Sequence, residues 1–181
     1  MDAHRVIGAM HCDEGIQIGV FYLNHRIDAP KARIRPDGDG REWRNDQALF
    51  IGSESPTETI FRACHDDKRL YLLTERLDSA STGATEIRLS VEYGGRRIDL
   101  TIAPDGSVVS PIPGIRGASR AGLTPAGVPG RATEIAVPLD ALQARPGDTL
   151  RFNATVRSGA VEDGFTAATD DPETWMRIEL K

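Results

Sequence analysis

The sequence lacks any apolar run near the ~20 residues that a helix needs to cross a bilayer, so no membrane partner is expected. It lacks a block of basic residues as well. Its 22 Lys and Arg are outnumbered by 27 Asp and Glu, leaving a net charge of −5. A nucleic-acid partner is therefore not expected, because nothing is present to displace counterions from phosphates. Only two cysteines occur, Cys12 and Cys64. They can pair only if their backbones approach closely, which spacing does not show. The motifs G-x-S-x-G, P-loop and H-E-x-x-H and a Gly-rich fingerprint after a strand are all missing, so no catalytic role is expected. Acidic residues are numerous enough for a glycosidase-like carboxylate pair to arise by chance, so their number decides nothing. The first residues, MDAHRVIGAMHCDEG, do not have the cationic start and unbroken apolar core of a signal peptide. That fits a cytoplasmic protein or a mature domain from a longer secreted chain.

What is present points to many short elements. Eighteen Gly and eleven Pro are spread through a chain that is 39% hydrophobic and 27% charged. Residues 6–10 and 17–23 are the first strand candidates. Residues 36–40, Pro-Asp-Gly-Asp-Gly, form a turn cluster, with Trp43 just beyond. Residues 57–65 and 70–73 form a hairpin around Asp66-Asp67-Lys68, with Ile60 and Cys64 read as one face and Phe61 and Ala63 fitting the opposite one. Residues 85–93 alternate most cleanly: Ile87, Leu89, Val91 and Tyr93 face one way, Glu86, Arg88, Ser90 and Glu92 the other. Gly94-Gly95 then turns the chain into Ile98, Leu100 and Ile102. Residues 110–130, rich in Pro and Gly and with only Ile112, Ile115, Leu123 and Val128 to bury, read as a long loop, and residues 158–171 as a polar one.

Residues 131–156 carry the clearest fold signal. Ile135, Val137 and Leu139 share one face; Glu134 and Ala136 share the other. Pro138 ends the ladder for want of an N–H. Asp140 is placed as the N-cap of a helical turn, and Leu150, Phe152, Ala154 and Val156 alternate after the Pro146-Gly147-Asp148 turn. Turn signals about every 8–12 residues and roughly ten short strands predict an all-β antiparallel sandwich.

The order of several motifs resembles the family 9 carbohydrate-binding modules and the wider DOMON-like sandwiches. These motifs are Asp37-Gly38-Asp39-Gly40-Arg41-Glu42-Trp43, Asp66 leading into Leu70-Tyr71-Leu72, Glu134-Ile135-Ala136-Val137-Pro138-Leu139, Pro146 to Asn153, and the closing Trp175 to Leu180. The resemblance covers 29–181; residues 1–28 are a flank that adds strands to the same sandwich or ends a preceding domain. It implies an immunoglobulin-like sandwich that binds a polysaccharide or oligosaccharide without altering it. It also implies a neighbouring catalytic domain within a longer, secreted protein. Members grip sugar between two aromatic rings, whereas residues 78–84 and 158–171 offer only Phe165.

Candidate ligand contacts are Glu86, Arg88 and Glu92 on one strand and Arg151 and Asn153 on another, a polar sheet face suited to sugar hydroxyls. More often such a face is merely solvated. Glu134 is a further candidate. Trp43 and Trp175 suit stacking on a pyranose, but read first as residues closing the core. Asp37, Asp39 and Asp78 are candidate ligands for a structural calcium; Arg41 and Glu42 break the EF-hand template, so a plain turn is the simpler reading. His11-Cys12 and Cys64-His65 do not have zinc-site spacing. A structural module without ligand and a haem-binding sandwich using Met10 or Met176 with a histidine are the alternatives.

Overall fold

A computed structural model describes residues 5–12, 15–22, 26–43, 47–52, 56–77, 84–166 and 170–181, the first two stretches by backbone alone. Among these residues the chain forms β1 (Arg5–Cys12), β2 (Gly15–Tyr22), β3 (Arg26–Ala29), β4 (Leu49–Ile51), β5 (Thr59–His65), β6 (Arg69–Leu77) and β7 (Thr85–Tyr93). It continues with β8 (Arg96–Ile102), β9 (Val108–Val109), β10 (Arg116–Leu123), β11 (Pro129–Pro138), β12 (Thr149–Ser158), β13 (Val161–Gly164) and β14 (Met176–Leu180). One helical turn, α1 (Leu139–Leu142), follows β11, and a 3₁₀ turn at Pro172–Thr174 precedes β14.

The expected all-β sandwich is what the chain forms. Five strands pair in the order β10-β11-β6-β5-β4, and seven form the second sheet, β3-β14-β12-β7-β8-β9 with β13 on β12. β1 and β2 pair as a separate hairpin. Among the named strands pairing is antiparallel except for β3 beside β14, which is parallel, and an isolated parallel bridge joins Lys31 to His65. The division at residue 28 falls inside β3.

The core lies between the two sheets. Leu72, Ile135 and Val137 of the smaller sheet meet Leu89, Val91, Leu150 and Ile178 of the larger, all buried. Phe61 and Phe152 pack edge to face at 6.0 Å, and Phe165 joins them at 5.2 Å from Phe61. Burying each such ring is worth about 1.5–3 kcal/mol. The alternation read in 85–93 survives intact, and Tyr93 pairs with Arg96 across Gly94-Gly95, both at positive φ as a two-residue hairpin requires.

Several expectations need correction. Residues 110–130 are not all loop: Arg116–Leu123 is β10, paired along its length with β11. It gave no periodic signal because it is a strand with no fully buried side chain. Residues 161–164 likewise add β13, exposed for the most part. These additions raise the strand count above roughly ten. In β5, Phe61 and Ala63 face the main core, while Cys64 belongs to a second cluster on the opposite face. Both faces of β5 are buried, so alternation could not give direction. Asp140 does not cap α1; Pro138 occupies the cap position, with no side-chain cap bond.

Candidate functional site

The outer face of the seven-stranded sheet brings together all five predicted ligand contacts. Arg151 stands opposite Glu92, Asn153 opposite Ser90, and Thr155 opposite Arg88. Four of these five, however, pair with one another, Arg88 with Glu86 and Arg151 with Glu92. Arg88 pairs with Glu86 at 2.8 Å. Arg151 donates to Glu92 at 3.0 Å and also to Glu173. Glu92 accepts in addition from the Gly95 N–H at 2.6 Å. These carboxylates hold the Arg151 guanidinium, already always charged, above its ordinary range, Glu92 foremost. Asn153 is 4% exposed, and its Oδ1 accepts from the Ala154 N–H. A shallow hollow of about 270 Å³ lies over Ser90, Arg97, Asp99 and Asn153. Beside it Trp175 is buried, with Arg97 4.9 Å above its ring.

The outer face of the five-stranded sheet is built differently, because the chain covers it with its own segment. Ala32 donates to the His65 carbonyl, and His65 to that of Pro30, so residues 30–32 run alongside β5. Ile34 then buries against Cys64, Tyr71 and Ala136, with Trp43 packed on the same cluster. The turn of residues 37–40 crosses β10 and β11. Gly38 and Gly40 both hold positive φ, and a Cβ would come within 2.8 Å of the Ser119 backbone at the first and 2.5 Å of Pro125 at the second. The two glycines of Asp-Gly-Asp-Gly are thus required by conformation and by close approach.

Two fully buried carboxylates fasten this covering layer. Glu134 of β11 accepts from Trp43 Nε1 at 2.6 Å, from Asp37 N at 2.9 Å and from Gly38 N at 2.6 Å. Burial pushes its carboxyl above the ordinary carboxylate value, against the pull of these three donors. Glu75 of β6 accepts from Arg62 Nε at 2.8 Å and from Ala126 N at 2.6 Å. Glu134 therefore holds the 37–43 turn, and Glu75 holds the turn after β10. Glu134 lies on the face opposite the main core, as its parity predicts, but it is sealed beneath a loop rather than available to a ligand.

Between the two fastened turns lies a cleft of about 650 Å³, lined by Asp39, Arg41, Trp43, Arg120, Leu123 and Thr124 among others. Trp43 is half-buried and Leu123 is 73% exposed. Asp39 is ion-paired with both Arg41 and Arg120. Hydrogen bonding from Arg41, followed by the nearby charges of both arginines, holds the Asp39 carboxyl below its ordinary range. The Thr124 hydroxyl is buried without a hydrogen-bond partner.

Of the candidate calcium ligands, Asp37 and Asp39 turn to different partners. Asp37 comes together with Glu42 and Glu134, one oxygen of each lying within 4.8 Å of the others. Asp39 turns instead to its two arginines, and Asp78 lies outside the described residues. His65 is buried, with its ring nitrogens 2.9 Å from the Asp66 carbonyl and 2.8 Å from that of Lys181, so neither is left for a metal. Cys64 is a free buried thiol, pushed up to about 12 by burial and then by nearby carboxylates. Phe165 packs against Phe61 and Phe152, and Met176 against the main cluster; both are partly buried.

Sequence reasoning missed Arg120 and Thr124 because they sit on and after β10, read as loop, and it took Leu123 as a residue to bury, whereas Leu123 is exposed. The usable signal was Asp37 to Trp43 together with Glu134: an acidic residue within an otherwise apolar strand needs a cluster of donors. No protein-family model matches the chain, and no curated protein or solved structure is detectably similar to it.

Proposed function

We propose that this chain is a non-catalytic carbohydrate-binding domain whose ligand lies in the cleft between the 37–43 turn and β10, serving as an accessory unit of a larger, secreted polysaccharide-active protein. The observation that carries the reading is the composition of that cleft. A half-buried Trp43 and an exposed Leu123 offer apolar surface, and an Arg–Asp–Arg group stands at its rim. Sugars bind where a ring can lie against an aromatic side chain while its hydroxyls meet fixed polar groups. Trp43 is fixed by its bond to Glu134, so little ordering entropy is lost when a ligand packs against it. The volume lies in the ~300–1,000 Å³ range of small-ligand sites. The motif order shared with family 9 carbohydrate-binding modules supports the same reading.

Affinity electrophoresis against a panel of neutral and acidic polysaccharides tests it. Retardation by at least one member is expected, and Leu123→Asp should abolish it without shifting the thermal melt, since Leu123 is exposed. Migration unchanged by every polysaccharide would overturn the reading. The self-paired charges of the seven-stranded face favour a second reading for that side, a packing surface toward a neighbouring domain.

A further inference from the structure

We infer that the cleft selects an acidic saccharide, one bearing a ring carboxylate, which Arg41 and Arg120 receive together. The inference rests on the carbohydrate reading and names the substrate class of that site. Its basis is charge and geometry. In a chain of net charge −5, the charged residues lining this cleft among the described residues are Arg41, Arg120 and Asp39, two cations against one anion. Asp39 draws both guanidinium groups to one place: Arg41 Nε donates to its Oδ1 at 2.6 Å, and Arg120 Nη1 to its Oδ2 at 3.3 Å. It is itself held by its N–H to Asp37 Oδ1 at 2.9 Å, within a turn that Glu134 anchors. Within this Arg–Asp–Arg group one positive charge is left over.

Each guanidinium carries five N–H donors in a planar fork. Asp39 engages two from Arg41 and one from Arg120. The side chains of Arg41 and Arg120 are 83% and 66% exposed, against 21% for Asp39. The cations thus stand toward solvent and the anion behind them. A carboxylate matches the fork geometry in two-point contact, as a hydroxyl does not. The ring that bears it would lie toward Trp43 and Leu123.

An ordinary surface ion-pair group would also look charged, but it would serve to hold the loop. Here the loop is already fastened by buried Glu134, and exposed pairs add only about 0–1 kcal/mol. The arginines can therefore be replaced without unfolding the site, which makes the inference testable on the whole chain.

Isothermal calorimetry should compare polygalacturonate, the same polymer after carboxyl reduction, and dextran sulfate. The proteins are the unmodified chain, the double variant Arg41→Gln/Arg120→Gln, and Arg88→Gln on the opposite sheet. Expected is binding of polygalacturonate about 10-fold or more tighter than of its reduced form, a factor typical of one charge-assisted contact. That preference should vanish in the double variant and persist in Arg88→Gln. Equal affinity for the acidic and reduced polymers would overturn the inference while leaving carbohydrate binding intact. Tighter binding of dextran sulfate would overturn the carboxylate as the recognised group. Equal loss in Arg88→Gln would overturn the assignment to this cleft. Binding of none of the three, with none of the wider polysaccharide panel, would remove the carbohydrate reading as well.

Discussion

Glu86 on the outer face of the seven-stranded sheet and Glu134 and Glu75 on that of the five-stranded sheet are used in opposite ways. On the seven-stranded sheet, Glu86 and Arg88 meet on an open strand surface, 36% and 62% exposed. On the five-stranded sheet, Glu134 and Glu75 are fully buried, and each accepts main-chain N–H groups from a loop distant in sequence. The first arrangement decorates a face already built. The second creates a face, because two loops are held apart at fixed positions and a cleft is left between them. Counting charged side chains does not distinguish the two; what each one bonds to does.

The largest effect expected from breaking this contrast is at Glu134. Glu134→Ala leaves the N–H groups of Asp37, Gly38 and Trp43 without their acceptor. Loss of such a buried, charge-assisted set should cost about 3–5 kcal/mol in urea unfolding. A cost below about 1 kcal/mol would mean the loop is held by packing alone. Asp66→Ala comes next. Its Oδ1 accepts from the Lys68 and Arg69 N–H groups and its Oδ2 from the Tyr71 hydroxyl at the β5–β6 turn. A loss of about 1–3 kcal/mol is expected at neutral pH. The opposite face supplies the smallest effect: Glu86→Ala, breaking an exposed pair, should change stability by no more than about 0.5 kcal/mol.

Proton linkage sharpens the same comparison with opposite signs. Burial tends to raise the Asp66 carboxyl, but its hydrogen bonds and the nearby Arg69 together bring it below its ordinary 3.8. Its contribution is therefore complete above that value and is lost as pH falls through the lower folded value, so the gap to Asp66→Ala should close under acid. Glu134 is raised above 4.5. Its linked stability is complete below 4.5 and is lost as pH rises through the folded value. Wild type should therefore lose ground relative to Glu134→Gln between acid and neutral pH, whatever the starting difference. Urea melts at several pH values read both slopes; wild type gaining stability relative to Glu134→Gln as pH rises would contradict the burial of this carboxylate.

How much could be read beforehand follows the same division. Residues 85–93 were legible because one face meets the core and the other meets solvent, so period two is written directly in the side chains. Arg116–Leu123 was not, because its pairing with β11 is main-chain bonding and none of its side chains is fully buried. The parity of Glu134 was read correctly and its environment was not. The segment that covers it, residues 37–43, lies more than ninety positions earlier. Strand parity says which face a residue takes, and not whether a distant loop closes over that face. The five polar residues chosen on β7 and β12 do share one surface, but the pairing of four of them with one another could be seen only once Arg151 was placed beside Glu92 and Glu173.

The chain has two tryptophans, one on each side of this comparison: Trp43 lines the cleft, and Trp175 lies beneath Arg97 beside the opposite hollow. Each can be watched alone by fluorescence, with Trp175→Phe reporting Trp43 and Trp43→Phe reporting Trp175. Titration with polygalacturonate should produce a saturable change in Trp43 emission and leave Trp175 silent. A saturable change from Trp175 with Trp43 unmoved would place the ligand on the seven-stranded face and contradict the account.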